Sequence, residues 1–434
     1  MPSLSSRLDR LTGWLRLWGP VLPLLGAEFI LWTGFGALLP VMPLYFTAHG
    51  VDIALLGVVI AAWPAARLFT EPLFGHVADR TARVPLMVLG LVIAGTAIGA
   101  MALWTAPVAF VALRALSGLG TAMYDPAARG YLTDAAPEGR RGEVFGLYNA
   151  AQMGGILLGP ALGGLVTAVV GGYTFVLVLS AVTTFGAAVA VALRVTEMRG
   201  TRERTRPATA LSEFPAERDA GADAPHAGLK APGDVQLSLR NRFILAALLV
   251  NLAGYFGGGL YETIWALFVT AHGGGVELVG LTFATFGLTT IILSPYGGRV
   301  VDRRGPLAFV IFGVLVMAAM MLGYPFVREP LLYIPMVAIE AIGFSFLGPA
   351  TYAVIGRGTP AGLSSTAQGI TGAAGTVGTI AASLATGVLA ARDLSLPFFV
   401  GTAVIVALLG VVLMVSGRAL RSMAPSFVRI AAPD

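Results

Sequence analysis

Twelve long stretches of apolar side chains follow one another along the chain, separated by shorter polar segments that carry most of its arginines. They run over about residues 20–46, 53–74, 85–105, 107–128, 144–168, 173–193, 243–270, 277–297, 307–326, 331–355, 365–390 and 396–416. Each can cross a hydrocarbon core of about 30 Å as a helix, the form that satisfies its own backbone in lipid. Arg7, Arg10 and Arg16 precede the first stretch, as in a signal sequence. That stretch is too long for such a signal, holds Glu28 and has no small-residue cleavage site, so it is read as the first membrane helix. Ahead of it, Leu4, Leu8, Leu11, Leu15 and Trp18 recur at helical spacing and predict a short helix lying on the membrane surface.

Composition agrees with this count. Apolar residues make up 56% of 434 and charged residues 12%, about half the charged share of a soluble protein. The net charge of +5 would suit a nucleic-acid partner if it formed a patch, but its distribution follows the helices. With the N-terminus inside, 24 of the 28 basic residues fall on the inner side, Arg67 and Arg114 fall within helices, and Arg328 and Arg392 fall outside. This asymmetry predicts both termini in the cytoplasm and makes the charge a matter of topology, with no nucleic-acid partner. Having no cysteine, the chain has no disulfide frame, thiolate metal site or thiol nucleophile. A ratio of 27 arginines to one lysine fits a GC-rich bacterial source, hence a bacterial inner membrane. The polar stretch from Arg194 to Arg242 lacks apolar periodicity and predicts a largely disordered cytoplasmic linker over 195–241, between six-helix units at 1–194 and 242–434.

The two units repeat. At an offset of 223 residues, Thr47-Ala48-His49-Gly50 falls on Thr270-Ala271-His272-Gly273, and Gly75, Asp79 and Arg80 fall on Gly298, Asp302 and Arg303, with 12 identities over 34 positions. Pro126 and Pro137 likewise fall on Pro349 and Pro360. Two parallel six-helix repeats with a site between them is a transporter plan. The same symmetry accounts for His49 and His272 better than a metal site does.

Particular motifs carry a family resemblance. Gly75-His76-Val77-Ala78-Asp79-Arg80-Thr81-Ala82-Arg83 resembles the loop signature of the major facilitator superfamily, and Gly298-Arg299-Val300-Val301-Asp302-Arg303 is its counterpart. Arg114-Ala115-Leu116-Ser117-Gly118-Leu119-Gly120 is similar to that family's helix-four motif. Gly155-Ile156-Leu157-Leu158-Gly159-Pro160-Ala161-Leu162-Gly163-Gly164 is similar to the helix-five motif of its drug:proton antiporters. Ala82 stands where the loop signature has glycine, and Ala382-Ser383 replace the Gly-Pro pair in helix eleven. The resemblance implies an all-α fold of twelve transmembrane helices in two pseudo-symmetric bundles, with helices one, four, seven and ten around a central cavity. It also implies that Gly75, Asp79, Arg80, Arg83, Gly298, Asp302 and Arg303 form a conformational gate. Physically, Asp79 can accept from a helix N-terminus and pair with an arginine, latching one state; a capped tight turn is the simpler reading. Gly155, Gly159 and Gly163 permit close helix approach and Pro160 a kink, with Gly369, Gly372, Gly375 and Gly378 as a similar face in helix eleven.

Ionisable residues inside apolar helices carry the chemistry. They are Glu28, Arg67, Glu71, Arg114, Asp125, Glu262 and Glu340, each costing about 2.5–3.5 kcal/mol at a helix centre. Five acids against two arginines leave a formal −3, so reversible protonation is expected. Glu28, Arg114, Glu262 and Glu340 are the candidates for proton coupling and substrate binding, Glu28 and Glu340 foremost; for Glu28 the alternative is neutralisation by Arg114 or hydrogen bonding to helix carbonyls. Arg67 and Glu71, four apart, read as a mutual ion pair, and Asp125 as a helix-end polar group. Trp32, Phe35, Tyr45, Tyr255, Tyr261 and Trp265 either line an apolar pocket or anchor the helices at the interface. No hydrolase or metalloprotease motif is present, and Lys230, the one lysine, is not in a phosphate loop.

These observations predict a monomeric, cofactor-free and metal-free secondary transporter, not an enzyme, whose partners are a small-molecule substrate, protons and the lipid bilayer. Proton-coupled efflux of hydrophobic or cationic compounds is the leading expectation. A metabolite symporter, a lipid exporter and a non-transporting receptor are the alternatives.

Overall fold

The structure is a computed structural model that describes residues 18–137, 140–197, 241–359 and 363–421. The surface helix expected at 4–18 and nearly all of the expected 195–241 linker lie outside these residues. Thirteen α-helices and no strands are formed among those described. They are α1 Leu22–Leu38, α2 Met42–Ala48, α3 Ile53–Arg80, α4 Arg83–Met101, α5 Pro107–Ala135, α6 Arg141–Val170, α7 Thr174–Arg194, α8 Arg242–Ala271, α9 Val276–Arg304, α10 Leu307–Gly323, α11 Tyr333–Gly358, α12 Ser364–Ala390 and α13 Leu396–Arg421.

Eleven of these are long and apolar enough to cross a membrane, and α1 with α2 makes a twelfth span bent by 48°. The first span is therefore two helices instead of the single one expected. Pro40, between them, lacks an N–H and would crowd the preceding turn, whereas Pro43 sits in the first turn of α2, where no N–H is needed. Several helices outrun their apolar stretches and end at arginines, as α3 does at Arg80, α7 at Arg194 and α9 at Arg303 and Arg304. Cations there complement the helix C-terminus. These ends lie on one side of the bundle, the arginine-rich face; the Thr47–Gly50 and Thr270–Gly273 turns lie on the other, the far face.

The 223-residue repeat persists at atomic detail. Gly50 and Gly273 both turn with positive φ, at 83° and 88°, and the rings of His49 and His272 each donate from Nδ1 to the carbonyl four residues back, at 2.8 Å. Inside the first unit, a Cβ on Gly155 would stand 2.7 Å from the Phe29 carbonyl oxygen; in the second, one on Gly378 would stand 2.6 Å from that of Leu252. Gly90 against the Gly120 carbonyl is repeated by Gly313 against that of Gly343. Each unit thus packs its first helix on its fifth and its third on its fourth. These are two pseudo-symmetric six-helix bundles in an all-α membrane protein.

The bundles meet through α3 on α12 and α6 on α9, again related by the repeat. A Cβ on Gly57 would lie 2.3 Å from the Ser383 carbonyl oxygen, and one on Gly280 2.5 Å from that of Pro160. Both contacts lie in the part of the bundle nearer the far face. There the cores also merge, because Leu44 of α2 joins the buried cluster of the second bundle. Toward the arginine-rich face, the cluster around Leu24, Tyr124 and Val191 is built from first-bundle residues alone. The molecule is closed at the far face, and its two cores separate toward the other.

Candidate functional site

Three groupings account for the ionisable residues within the helices. On α3, Arg67 donates to Glu71 one turn away at 2.9 Å, and the same guanidinium pairs with Asp125 of α5. Arg129, one turn beyond Asp125, approaches Glu71 at 3.4 Å and Asp125 at 3.8 Å. The Arg67–Glu71 pair expected from the spacing is thus half of a four-residue network joining α3 to α5. Asp125 is not the helix-end group expected: α5 passes through Pro126 to Ala135 and leaves that carboxylate 3% exposed. Two cations and two anions make the network self-compensating.

The second grouping crosses between the bundles. Arg114 of α5, 2% exposed, donates to Glu262 of α8 at 3.3 Å, and Glu262 keeps 20% of its side chain exposed. Trp63 of α3 lies beneath both cations, with Arg67 Cζ at 4.8 Å and Arg114 Cζ at 5.9 Å from the centre of its ring. Gly118, one turn after Arg114, permits this approach, since a Cβ there would be 2.5 Å from the Trp63 carbonyl oxygen.

What remains, among the described residues, is two carboxylates without a cation. Glu28 of α1 is 0% exposed. Its oxygens accept from Trp32 Nε1 at 2.7 Å, the Tyr124 hydroxyl at 2.8 Å and Gln152 Nε2 at 3.3 Å. Arg114, one alternative expected to neutralise it, is turned to Glu262 instead. Glu340 of α11 is 4% exposed and accepts from the hydroxyls of Tyr261 at 2.8 Å and Tyr324 at 2.6 Å. Trp265, Tyr333 and Phe398 surround this pair of tyrosines. Counting Arg129, three arginines face five acids, and the ion pairs leave Glu28 and Glu340 as the excess. A charge in such a place is costly unless it is paired or neutralised. A proton is the simplest way to neutralise it.

Sequence reasoning singled out Trp32 and Tyr261, though not as donors to these carboxylates, and missed Tyr124, Gln152 and Tyr324. Tyr124 and Gln152 lie 96 and 124 positions from Glu28, and no local pattern links them. Trp63 did carry a signal, four residues before Arg67 on one helical face. Of the aromatic residues singled out, Tyr45 and Trp265 are core, donating to the Met101 carbonyl and to Thr282. Trp32 and Phe35 are half-buried and run on to Trp63, with ring centres 5.1 and 5.2 Å apart.

At the arginine-rich face, Asp79 and Arg80 are exposed, as are Asp302 and Arg303, and none of them makes an ion pair with a described residue. Arg83 pairs instead with Asp134 and the Gly130 carbonyl of α5. Gly75 and Gly298 face Pro126 and Pro349. Along α6, a Cβ on Gly159 would be 2.5 Å from the Thr33 carbonyl oxygen and one on Gly163 2.1 Å from that of Ala37, both on α1. Gly164 turns to α9 of the other bundle, near the Val276 carbonyl, so the motif helix touches both bundles. In α12, Gly375 and Gly378 pack on α8, while Gly369 and Gly372 have open space beside them.

The chain matches the profile of the Major Facilitator Superfamily over residues 24–383 and 247–425. It belongs to the Major Facilitator Superfamily. Among its relatives, the Staphyloferrin B transporter of Staphylococcus aureus is 26% identical over 299 residues, 67% of this chain and 66% of that one. Multidrug resistance protein 2 of Bacillus subtilis is 30% identical over 33% of this chain and 36% of that one. The matched stretches cover less than two thirds of each of these relatives. The solved structure of a bacterial homologue of the human lysosomal transporter Spinster, inward-facing and occupied, aligns with a TM-score of 0.74 at 14% identity, covering 94% of this chain and 98% of that one. A D-xylose-proton symporter aligns at 0.69 and 15%, covering 91% and 97%. Major Facilitator Superfamily membership and these structural likenesses agree with the two-bundle fold.

Proposed function

We propose that this protein is a secondary transporter, not an enzyme, and that it exports hydrophobic or cationic small molecules in exchange for protons. The observation that carries the reading is Glu28, a fully buried carboxylate held by an indole, a phenol and an amide, with no cation among the described residues. Such a site holds a proton stably and presents a costly charge once that proton leaves, which gives a proton gradient purchase on the conformation. Glu340 repeats the arrangement in the other bundle. The Arg114–Glu262 pair spans the two bundles and is the group a substrate meets between them. The multidrug resistance relative supports this class of cargo, and the Staphyloferrin B relative favours a second reading, export of a larger polar metabolite.

Each cycle follows from the two-bundle plan. With the far face closed, the substrate enters from the arginine-rich side. The bundles then rock about their α3–α12 and α6–α9 contacts, and protons taken from the far side favour release. Asp79, Arg80 and Arg83 with Asp302 and Arg303 form the gate, and Gly155, Gly159, Pro160, Gly163 and Gly164 give the motif helix its close sliding surface. Both termini and the 195–241 linker, between bundles at 1–194 and 242–434, are on the cytoplasmic side of a bacterial inner membrane. The protein works as a monomer.

The test uses purified protein in proteoliposomes enclosing a pH-sensitive dye, with lipophilic cations, neutral aromatic compounds, sugars and organic acids added outside. Loss of lumenal acid together with uptake of a cation or an aromatic compound is expected. Lumenal acidification during uptake of a sugar or an acid means symport and overturns the exchange reading.

A further inference from the structure

We infer that a recess at the far face, walled by both bundles, binds an amphiphilic cation by its ammonium head and adjoining methylenes and braces the closed state. The recess is lined by none of Glu28, Arg114, Glu262 and Glu340. Its occupancy does not depend on the transport reading above; its consequence, slowed export, rests on that reading.

The recess holds about 500 Å³, within the range of small-molecule sites. Ala161 and Leu165 of α6 form its first-bundle wall, and Leu278 and Leu281 of α9 with Leu331 form the wall opposite. Leu165, Leu281 and Leu331 are exposed, and such side chains on the outside of a membrane bundle open the recess to the bilayer. Gly273, Gly274 and Gly275 also line it and put no side chain into the space. Glu277 and Glu329 are the charged residues of the lining. The Glu277 carboxylate lies over Gly275, where an added Cβ would collide with it. Both acids are exposed, and neither makes an ion pair with a described residue. Arg328 adjoins Glu329 in sequence but is not part of the lining and pairs with neither acid. Apolar walls beside two unneutralised carboxylates fit a cation that carries a hydrophobic tail.

The repeat shows that the fold does not require these acids. At the offset of 223, Glu277 falls on Ala54, Glu329 on Ala106, Gly274 on Val51 and Ala161 on Leu384. Pro330 falls on Pro107, both at the start of a helix, so the register holds here. An acid in the first turn of α9 complements that helix end; in α3 the role passes to Asp52, which caps Leu55 N at 2.7 Å. That role does not account for Glu329. The recess also lies beside the α6–α9 seam, where Gly164 faces the Val276 carbonyl. Its two walls belong to different bundles, so it loses one of them when the far face opens. A cation bound there is held by both bundles and resists their parting.

Since the chain has no cysteine, Leu331→Cys places a single thiol at the rim. Its modification by N-ethylmaleimide is followed in the purified full-length protein in phosphatidylglycerol nanodiscs, with dodecyltrimethylammonium as ligand and dodecanol as its uncharged counterpart. Val108→Cys, at the repeat-related position, controls for effects of the amphiphile on the bilayer. The cation is expected to protect Leu331→Cys and leave Val108→Cys unaffected. Adding Glu277→Gln and Glu329→Gln should raise the concentration needed about fivefold, the scale of two exposed ion pairs. Ala161→Leu, which gives α6 the side chain of its repeat mate, should abolish protection; should it not fold, the acid variant decides alone. Equal protection by dodecanol, or protection unchanged by these substitutions, overturns the site. Protection in phosphatidylethanolamine nanodiscs before any amphiphile is added makes the occupant a lipid head group and overturns the assignment to a free cation. The protecting concentration should slow export by the parent more than export by Ala161→Leu, and equal slowing overturns the brace. A parent that shows protection but moves no cargo overturns only the transport reading.

Discussion

Glu28 and Asp125 are both acids buried in the first bundle, but their partners give them different work. Among the described residues Glu28 meets only neutral donors, so Glu28→Gln preserves the shape and much of the hydrogen bonding while removing the titratable group. The variant is expected to fold with an unchanged melting temperature and to lose proton-coupled movement while retaining downhill substrate exchange. Proton flux and substrate counterflow, measured on the same proteoliposomes, check this; full coupling in Glu28→Gln removes it from the mechanism. Asp125 answers two arginines, and Asp125→Ala leaves Arg67 and Arg129 to share the single carboxylate of Glu71. Breaking a buried pair from one side costs about 3–5 kcal/mol, so a large fall in thermal stability is expected. Glu71→Ala, in a half-buried position, should cost less, and thermal unfolding of the two variants in matched detergent compares them. A greater loss from Glu71→Ala would mean that the network is centred on Glu71.

At the scale of helices, the close approach of α6 to α1 rests on glycine. Gly159→Leu drives a side chain into the Thr33 carbonyl, where a Cβ alone would already stand at 2.5 Å. Overpacking of this kind costs about 1–3 kcal/mol, and folded yield after extraction should fall accordingly. Gly146 in the same helix has nothing within 4 Å of an added Cβ, so Gly146→Ala should be neutral or raise stability by up to about 1 kcal/mol through helix propensity. Equal losses from both substitutions, read by size-exclusion chromatography and thermal unfolding, would contradict the packing argument. This level was well legible in the sequence. Twelve spans, the repeat at 223 and the Gly155–Gly159–Gly163 row follow from composition and spacing, because lipid permits few backbone solutions. The break at Pro40 was also written there, though the first span was read as one helix. What could not be read was which side chains meet across helices. Tyr124 finds Glu28, and Arg114 chooses Glu262 over Glu28, because helix rotation and tilt set those distances and a linear pattern carries neither. Asp125 was placed at a helix end for a related reason: Pro126 suggests a stop, whereas inside a packed bundle the helix tolerates it.

Across the whole molecule, the repeat constrains how the bundles can move. The contact of Gly57 with Ser383 and Gly387 has its counterpart in Gly280 with Pro160 and Gly164, each position shifted by 223. Two such points, placed symmetrically near the far face, form a seam that must part if the substrate is to leave there. Gly57→Leu fills one of them with a side chain that has no space, since a bare Cβ would stand 2.3 Å from the Ser383 carbonyl oxygen. Within each bundle the packing is untouched, so the strain is relieved by separating the bundles instead of unfolding them. The chain has no cysteine, which makes spin labels at chosen pairs simple to introduce. Labels at Gly172 and Arg328 report the far face, and labels at Arg80 and Arg303 the arginine-rich face. In Gly57→Leu the first distance should lengthen and the second shorten relative to the parent, with Gly280→Leu acting in the same sense because the repeat makes the seams equivalent. If both distances lengthen together, the bundles have come apart as independent bodies and the rocking description fails; if neither changes, the glycine seam does not hold the far face shut.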